Sequence, residues 1–257
     1  MSNPVVINAG ETVDQILEGK LKVIQKEKGH RFSIDALLLS HFINLKEGDH
    51  VLDLGTGGGI VPMILAKRWP CGRITGLDIQ ADLIDMAIRS AILNQASDRV
   101  EFIRGDIRQI KTLFEAGSFD VVAFNPPYHR MHSGRINPDV EKAIARHELK
   151  VTLDDFLAAA DHCLKIKGRV FVIYPASRAV KLFSRMRALR LEAKRMALVY
   201  SSPSSDGQFV LVEGLKGGNE AMKVLPPLFI YEDGGGYTQG MRRIFSDLAA
   251  FPACAAG

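Results

Sequence analysis

From residue 50 onward the chain repeats one unit: a short apolar run, a tight polar or glycine turn, then a stretch with helical spacing of apolar residues. HVLDLG, RITGLDI, RVEFIRGD, SFDVVAF and RVFVIYP are the apolar runs, and helices are predicted through Lys67 and over 81–95, 152–166 and 177–189. In 81–95, Ile84, Ala87, Ile88 and Ala91 share one side. Strands that are apolar on both faces and separated by helices demand a parallel sheet covered on both sides. LEAKRMALVYS and QFVLVEGLKG follow without a helix between them, which predicts an antiparallel strand at the sheet edge. TQGMRRIFSDLAAF closes as a helix with Met241, Ile244, Phe245 and Leu248 on one side.

Residues 1–45 read as an N-terminal extension packed on a catalytic domain of residues 46–257. ETVDQILEG predicts a short helix, KLKVIQKEKGHRF a hairpin turning at Lys28-Gly29, and Ser33 an N-cap for IDALLLSHFINL. Three widely spaced cysteines make neither a disulfide framework nor a zinc site. No n-region or h-region of a signal peptide opens the chain, and no apolar run approaches membrane-spanning length. These features together predict a cytoplasmic protein that needs no metal; they leave its oligomeric state open.

The formal net charge of +4 is unevenly spread. Residues 165–195 carry +9 and residues 20–31 carry +4, which leaves −9 elsewhere. Such segregation suits a phosphate-binding face, and it equally suits solvated helix faces.

VLDLGTGGG places Gly55, Gly57 and Gly59 between a strand and a helix, where the backbone can turn sharply and approach a ligand. Asp78 ends the next strand, at the position where a carboxylate takes ribose hydroxyls. That much also admits a nicotinamide dehydrogenase. Asp53 before the loop and Asp106 in RGDI after the third strand favour S-adenosylmethionine, because three carboxylates are a poor setting for a pyrophosphate. Asn125 ends the fourth strand in NPPY. Its side-chain oxygen and the Pro126 carbonyl are two acceptors on a segment that Pro126 and Pro127 stiffen. Two acceptors match the two N–H bonds of a planar amine, and Tyr128 offers a face for the ring that bears it. The chemistry expected is alignment for in-line displacement, with no general base assigned to His129 or His132. The polar stretch 129–148 is expected to be a substrate loop.

DLGTGGG, LDIQ, RGDI and NPPY together resemble the class I S-adenosylmethionine-dependent methyltransferases of exocyclic or amide nitrogens. IQKEKGHRFSIDALLLSHF, IARHE and GGGYTQ are similar, more narrowly, to bacterial tRNA (adenine-N6)-methyltransferases that modify the adenine 3′ of the anticodon in a valine tRNA. The resemblance runs over about residues 12–240. It implies a Rossmann-like α/β fold, with a mostly parallel seven-stranded sheet, helices on both faces and an antiparallel edge strand. It further implies that Asp53, Gly55, Gly57 and Gly59 hold the methionine end of the cofactor and Asp78 the ribose, with Ile79 also in the cofactor site. Asp106 with Ile107 would hold the adenine, and Asn125, Pro126, Pro127 and Tyr128 the target amine, while Arg31, Phe32 and Asp35 flank the pocket. NPPY alone also serves guanine N2 in rRNA and the glutamine amide of a protein; the basic segments turn the expectation toward tRNA.

Overall fold

The computed structural model describes residues 5–28, 31, 33–69, 72–127 and 151–246. An N-terminal hairpin of β1 (Glu11–Ile16) and β2 (Leu21–Lys26) leads into α1 (Ile34–Phe42). The alternating unit then runs β3 (Val51–Leu54), α2 (Ile60–Arg68), β4 (Ile74–Asp78), α3 (Ala81–Leu93), β5 (Val100–Arg104), α4 (Ile110–Leu113) and β6 (Phe119–Phe124). After the undescribed stretch come α5 (Leu153–Cys163), β7 (Leu164–Pro175), α6 (Ala179–Ala188), β8 (Leu191–Tyr200) and β9 (Gly207–Lys216). Short β10 (Lys223–Val224) and β11 (Leu228–Phe229) precede α7 (Gln239–Ser246).

In space the long strands lie in the order β5-β4-β3-β6-β7-β9-β8, with β10 and β11 along the outer side of β8. β5, β4, β3, β6 and β7 are parallel neighbours, as their apolar runs predict. Alternate residues of each strand feed two different cores. Val51, Val121, Ala123, Phe171 and Ile173 join α1, α2 and α3 on one face. Leu52, Leu54, Val122, Phe124, Val170 and Val172 join α5 and α6 on the other. Each buried Val, Leu, Ile or Phe among them contributes about 1.5–3 kcal/mol, and no solvated face remains to impose polar alternation.

The antiparallel strand does not lie at the edge. β9 is antiparallel to both β7 and β8 and is inserted between them. The reason is visible in side chains: Phe209, Val210, Leu211 and Val212 are all buried and need neighbours on both sides, whereas most of β8 is half-buried. A half-polar strand tolerates the edge position better.

The N-terminal expectations also change. Residues 11–16 form a strand, and the hairpin turns at 17–20, where Leu17 and Glu18 have positive φ and Gly19 completes the turn at φ 82°. Isolated helical spacing lost here to pairing with β2, whose Leu21, Val23 and Ile24 are buried. The expected turn at Lys28-Gly29 falls beyond β2, and Gly29 lies outside the described residues. β2 packs along α3 through Ile24 N–H to Ser90 Oγ (2.9 Å) and Lys22 N–H to Asn94 Oδ1 (2.9 Å). Ser33 does precede α1 in extended geometry, yet its side chain makes no capping hydrogen bond.

One buried ion pair ties the link after α1 to the sheet. Arg169 on β7 reaches Asp49 at 2.5 Å and donates to the Asn44 carbonyl at 2.6 Å. Arg195 on β8 donates to the Phe42 carbonyl at 2.9 Å and pairs with Glu213 at 2.8 Å. Two of the ten cations in 165–195 are therefore internal fastenings.

Candidate active site

The chain proceeds from β3 outward to β4 and β5, then returns to lay β6 on the other side of β3. Helix connections diverge at that point, so a crevice opens beyond the C-terminal ends of β3 and β6. The two sequence motifs meet there. Asp53 is paired in register with Ala123, and Asn125 follows two residues later on the neighbouring strand.

Asp53 shares the face of β3 that carries Val51 and is almost fully buried. Its Oδ2 atom has no hydrogen-bond partner among the described residues. Burial raises its pKa to about 7; the Thr56 hydroxyl opposes that rise, and the Asp78 charge adds to it. A buried, unpartnered carboxylate oxygen costs stability unless a cation or donor arrives. The methionine end of S-adenosylmethionine brings an ammonium and a sulfonium, which fits this oxygen.

The loop after Asp53 is held by β4: Gly55 and Thr56 N–H donate to the Leu77 carbonyl at 2.8 and 3.0 Å. Gly55, Gly57 and Gly59 all have positive φ, between 55° and 77°. They differ in what lies beside them. A Cβ on Gly59 would sit 2.4 Å from Phe102 and 3.0 Å from Ala87, so this glycine packs helix α2 onto the sheet. A Cβ on Gly57 would meet nothing within 4 Å. Its side of the loop is open for a ligand. Gly59→Ala is accordingly expected to cost about 2–4 kcal/mol of stability, from strain at positive φ plus overpacking. Gly57→Ala is expected to cost about 1 kcal/mol. A thermal melt of both variants, with Gly57→Ala as unstable as Gly59→Ala, would refute this division.

Asp78 ends β4 buried, with its oxygens accepting from Gly57 N–H and Gln80 N–H, both at 2.9 Å. This carboxylate braces the glycine loop and keeps further lone pairs for ribose hydroxyls. Ile79 beside it is partly exposed. Asp106, at the end of β5, is already engaged. It accepts from the Arg108 backbone N–H (3.0 Å) and from the Arg108 Nε (2.9 Å), and this guanidinium holds its pKa below the usual range. Arg108, two residues along, carried no signal in the sequence reading. Ile107 is buried under the same turn.

Asn125 follows the fully buried end of β6, and Pro126 behind it is buried. The Asn125 Oδ1 atom is itself buried and has no hydrogen-bond partner among the described residues. Phe156 of α5 supports the corner, lying 3.3 Å from where a Gly55 Cβ would stand and 5.3 Å, ring to ring, from Phe124. Thr152 and Asp155 close a capping box that starts α5 at this place. Two acceptors without a partner among the described residues, Asp53 Oδ2 and Asn125 Oδ1, thus lie at neighbouring strand ends of one crevice.

Tyr128, Phe32, His129, His132 and the 129–148 stretch lie outside the described residues. Arg31 pairs with Asp14 on β1, and Asp35 is buried on α1. The basic segments also divide. β7 is 12 residues long, roughly 30–40 Å from end to end. Lys165 and Lys167 therefore lie far from the crevice, and Lys165 is paired with Asp120 at 2.8 Å. Arg178 and Lys181 follow the C-terminal end of β7, on the crevice side, and are exposed.

A family model described as a methyltransferase domain matches residues 45–226. A Porphyromonas gingivalis protein named tRNA1(Val) (adenine(37)-N6)-methyltransferase is 31% identical over 166 residues. That match covers 64% of this chain and 64% of the relative, so the chain spans just under two thirds of that protein's length. A Flavobacteriaceae bacterium protein of the same name is 24% identical over 213 residues, covering 83% of this chain and 88% of the relative. Among solved structures, a predicted O-methyltransferase from Agrobacterium tumefaciens superposes with a TM-score of 0.67 at 20% identity, over 84% of this chain and 97% of that one. At that identity the superposition speaks for the Rossmann-like fold alone.

Proposed function

The chain belongs to the methyltransferase domain family, and from that membership we propose that it transfers the methyl group of S-adenosylmethionine to N6 of an adenine in tRNA. The observation that carries the reading is Asn125 Oδ1, without a partner among the described residues and placed just past the end of β6, the strand next to Asp53 at the switch point of the sheet. The tRNA1(Val) name shared by the relatives supports adenine as the ring and the anticodon loop as its setting.

The cofactor supplies an electrophilic methyl group. Asp53 with Gly55, Gly57 and Gly59 holds its methionine end, Asp78 and Ile79 the ribose, and Ile107 the adenine. Asp106 acts through Arg108, which it anchors. Asn125 Oδ1 and the Pro126 carbonyl accept the two N–H bonds of N6. That fixes the nitrogen and turns its lone pair away from conjugation toward the methyl group. The buried strand ends beneath keep water out of the corner. After transfer the nitrogen is cationic and strongly acidic, so its proton passes to solvent without a dedicated base. Tyr128 and Phe32 belong to the same reading as faces for the substrate ring and the cofactor. In tRNA the target lies in a loop, where splaying a base costs less than in a duplex. The substrate places the protein in the cytoplasm; no helix among the described residues is long and apolar enough to cross a membrane.

Labelled S-adenosylmethionine and tRNA lacking the modification should yield N6-methyladenosine on nucleoside digestion. Label in a protein and none in any RNA would overturn the reading. Among the basic residues, reversing Arg178 and Lys181 together should weaken tRNA binding and lower the salt slope by about 1–2. Reversing Lys165 and Lys167 should change neither. Equal effects from the two pairs would mean that the crevice rim is not the phosphate-binding side.

A further inference from the structure

The rim that carries Asn125 also carries an aromatic pair that the chemistry above leaves unused. Tyr231 and Tyr237 stack with ring centroids 5.2 Å apart and planes 23° from parallel. Both are well exposed, at 39% and 40%. Their main chains form an antiparallel bridge, closing a tip whose Gly235 and Gly236 have φ of 83° and 88°.

The tip is fixed to the crevice end of β8. Ile230 N–H donates to the Tyr200 carbonyl (2.9 Å) and Tyr231 N–H to the Ser201 carbonyl (2.8 Å), while Thr238 Oγ1 donates to the Phe229 carbonyl (2.6 Å). Phe245 of α7 meets Tyr237 edge to face at 4.7 Å. From β6 the sheet runs through β7, β9 and β8 to β11, four spacings of ~4.8 Å, so the pair stands about 20 Å from Asn125 along the rim.

We propose that this pair is a stacking platform for an unpaired RNA base near the target adenine, a surface that rests on the tRNA reading above. Two exposed rings on a hydrogen-bonded scaffold present a rigid flat face at little cost in side-chain entropy. Bases of any identity stack on such faces. Glu232 and Asp233 at the tip disfavour a phosphate there, and Arg242 pairs with Glu232 at 2.8 Å. Phosphates fall instead to Arg178 and Lys181, between the platform and Asn125, and to exposed Arg243 behind it. Aromatic face for base and cations for backbone is the division found in single-strand binding surfaces. Tyr231 is the ring that meets the base, since Tyr237 already has Phe245 against it.

The test uses anticodon stem-loop RNAs in which 2-aminopurine replaces, one position at a time, the unpaired loop bases about two to four nucleotides from the target adenine, titrated with wild-type protein and with Tyr231→Phe and Tyr231→Leu. Wild type and Tyr231→Phe should quench the probe equally. Tyr231→Leu, which keeps apolar bulk but loses the ring, should lose the quench and bind RNA about tenfold more weakly, within a range of fivefold to a hundredfold. That loss should fall on KM for RNA rather than on kcat. Its affinity for S-adenosylmethionine and its melting temperature should match wild type; a fall in either would assign Tyr231 a structural role and overturn the proposal. Quench and affinity unchanged in Tyr231→Leu would overturn it as well, while wild-type methylation of the RNA leaves the tRNA reading standing. If wild type neither binds nor methylates the RNA, both fall.

Discussion

Asn125→Ala is expected to lower kcat for methyl transfer by about 10²–10³, the scale seen when one preorganised hydrogen-bonding group is removed from a reacting centre. The dissociation constant for S-adenosylmethionine should stay within about twofold, because Asp53 and the glycine loop are untouched. Stability should move in the opposite direction. Asn125 Oδ1 is buried with no partner among the described residues, so deleting it removes an unsatisfied acceptor that costs about 1–3 kcal/mol, less the small loss of packing. The variant should melt at the same temperature as wild type or higher. Loss of activity with unchanged or increased stability is the signature of a group kept for function rather than for the fold. A destabilised variant with near-normal turnover would make Asn125 a strand terminator and nothing more. Asn125→Gln gives a second check: it restores an acceptor one methylene too far out and should remain impaired.

The parallel sheet was legible because burial on both faces writes itself as unbroken apolar runs, as in VVAF of β6. The crevice was legible because glycine and acid positions at strand ends depend on local backbone, which the sequence carries directly. What escaped was long-range pairing. Nothing within QFVLVEGLKG says that β9 slips between β7 and β8; that follows only when its two buried faces are weighed against the half-polar β8. Residues 11–16 have helical spacing in isolation and become a strand because β2 is their neighbour. Charge suffered most. The run 165–195 reads as one basic face, yet Arg169 and Arg195 are spent on Asp49 and Glu213, and Lys165 on Asp120. A linear count cannot see partners that lie 18, 45 or 120 residues away. Asp106 shows the same blindness at short range, since Arg108 occupies its carboxylate before any ligand does.

Asp53 provides the second large effect, and its sign can be worked out. In the folded chain without ligand its pKa stands at about 7, against the ordinary value of 3.8. Between those two values the folded protein holds a proton that the unfolded chain has lost. The contribution of Asp53 to stability is therefore fully present below about pH 4 and declines as pH rises through 7, by roughly 4 kcal/mol in all. A cationic ligand reverses the preference, since it needs the ionised carboxylate. Binding at pH 6 must expel the proton, and affinity for S-adenosylmethionine should be about tenfold weaker than at pH 8, with a plateau above pH 7–8. Titration calorimetry at pH 6 in two buffers of different ionisation enthalpy should show release of close to one proton. Asp53→Asn should lose about 10–100-fold in affinity at pH 8, the scale of a charge-assisted hydrogen bond. It should also lose both the proton release and the decline of stability between pH 4 and 7. If wild type binds S-adenosylmethionine equally well at pH 6 and pH 8, the carboxylate is not the group that meets the cation, and Asp53 is left as a buried acid without a ligand.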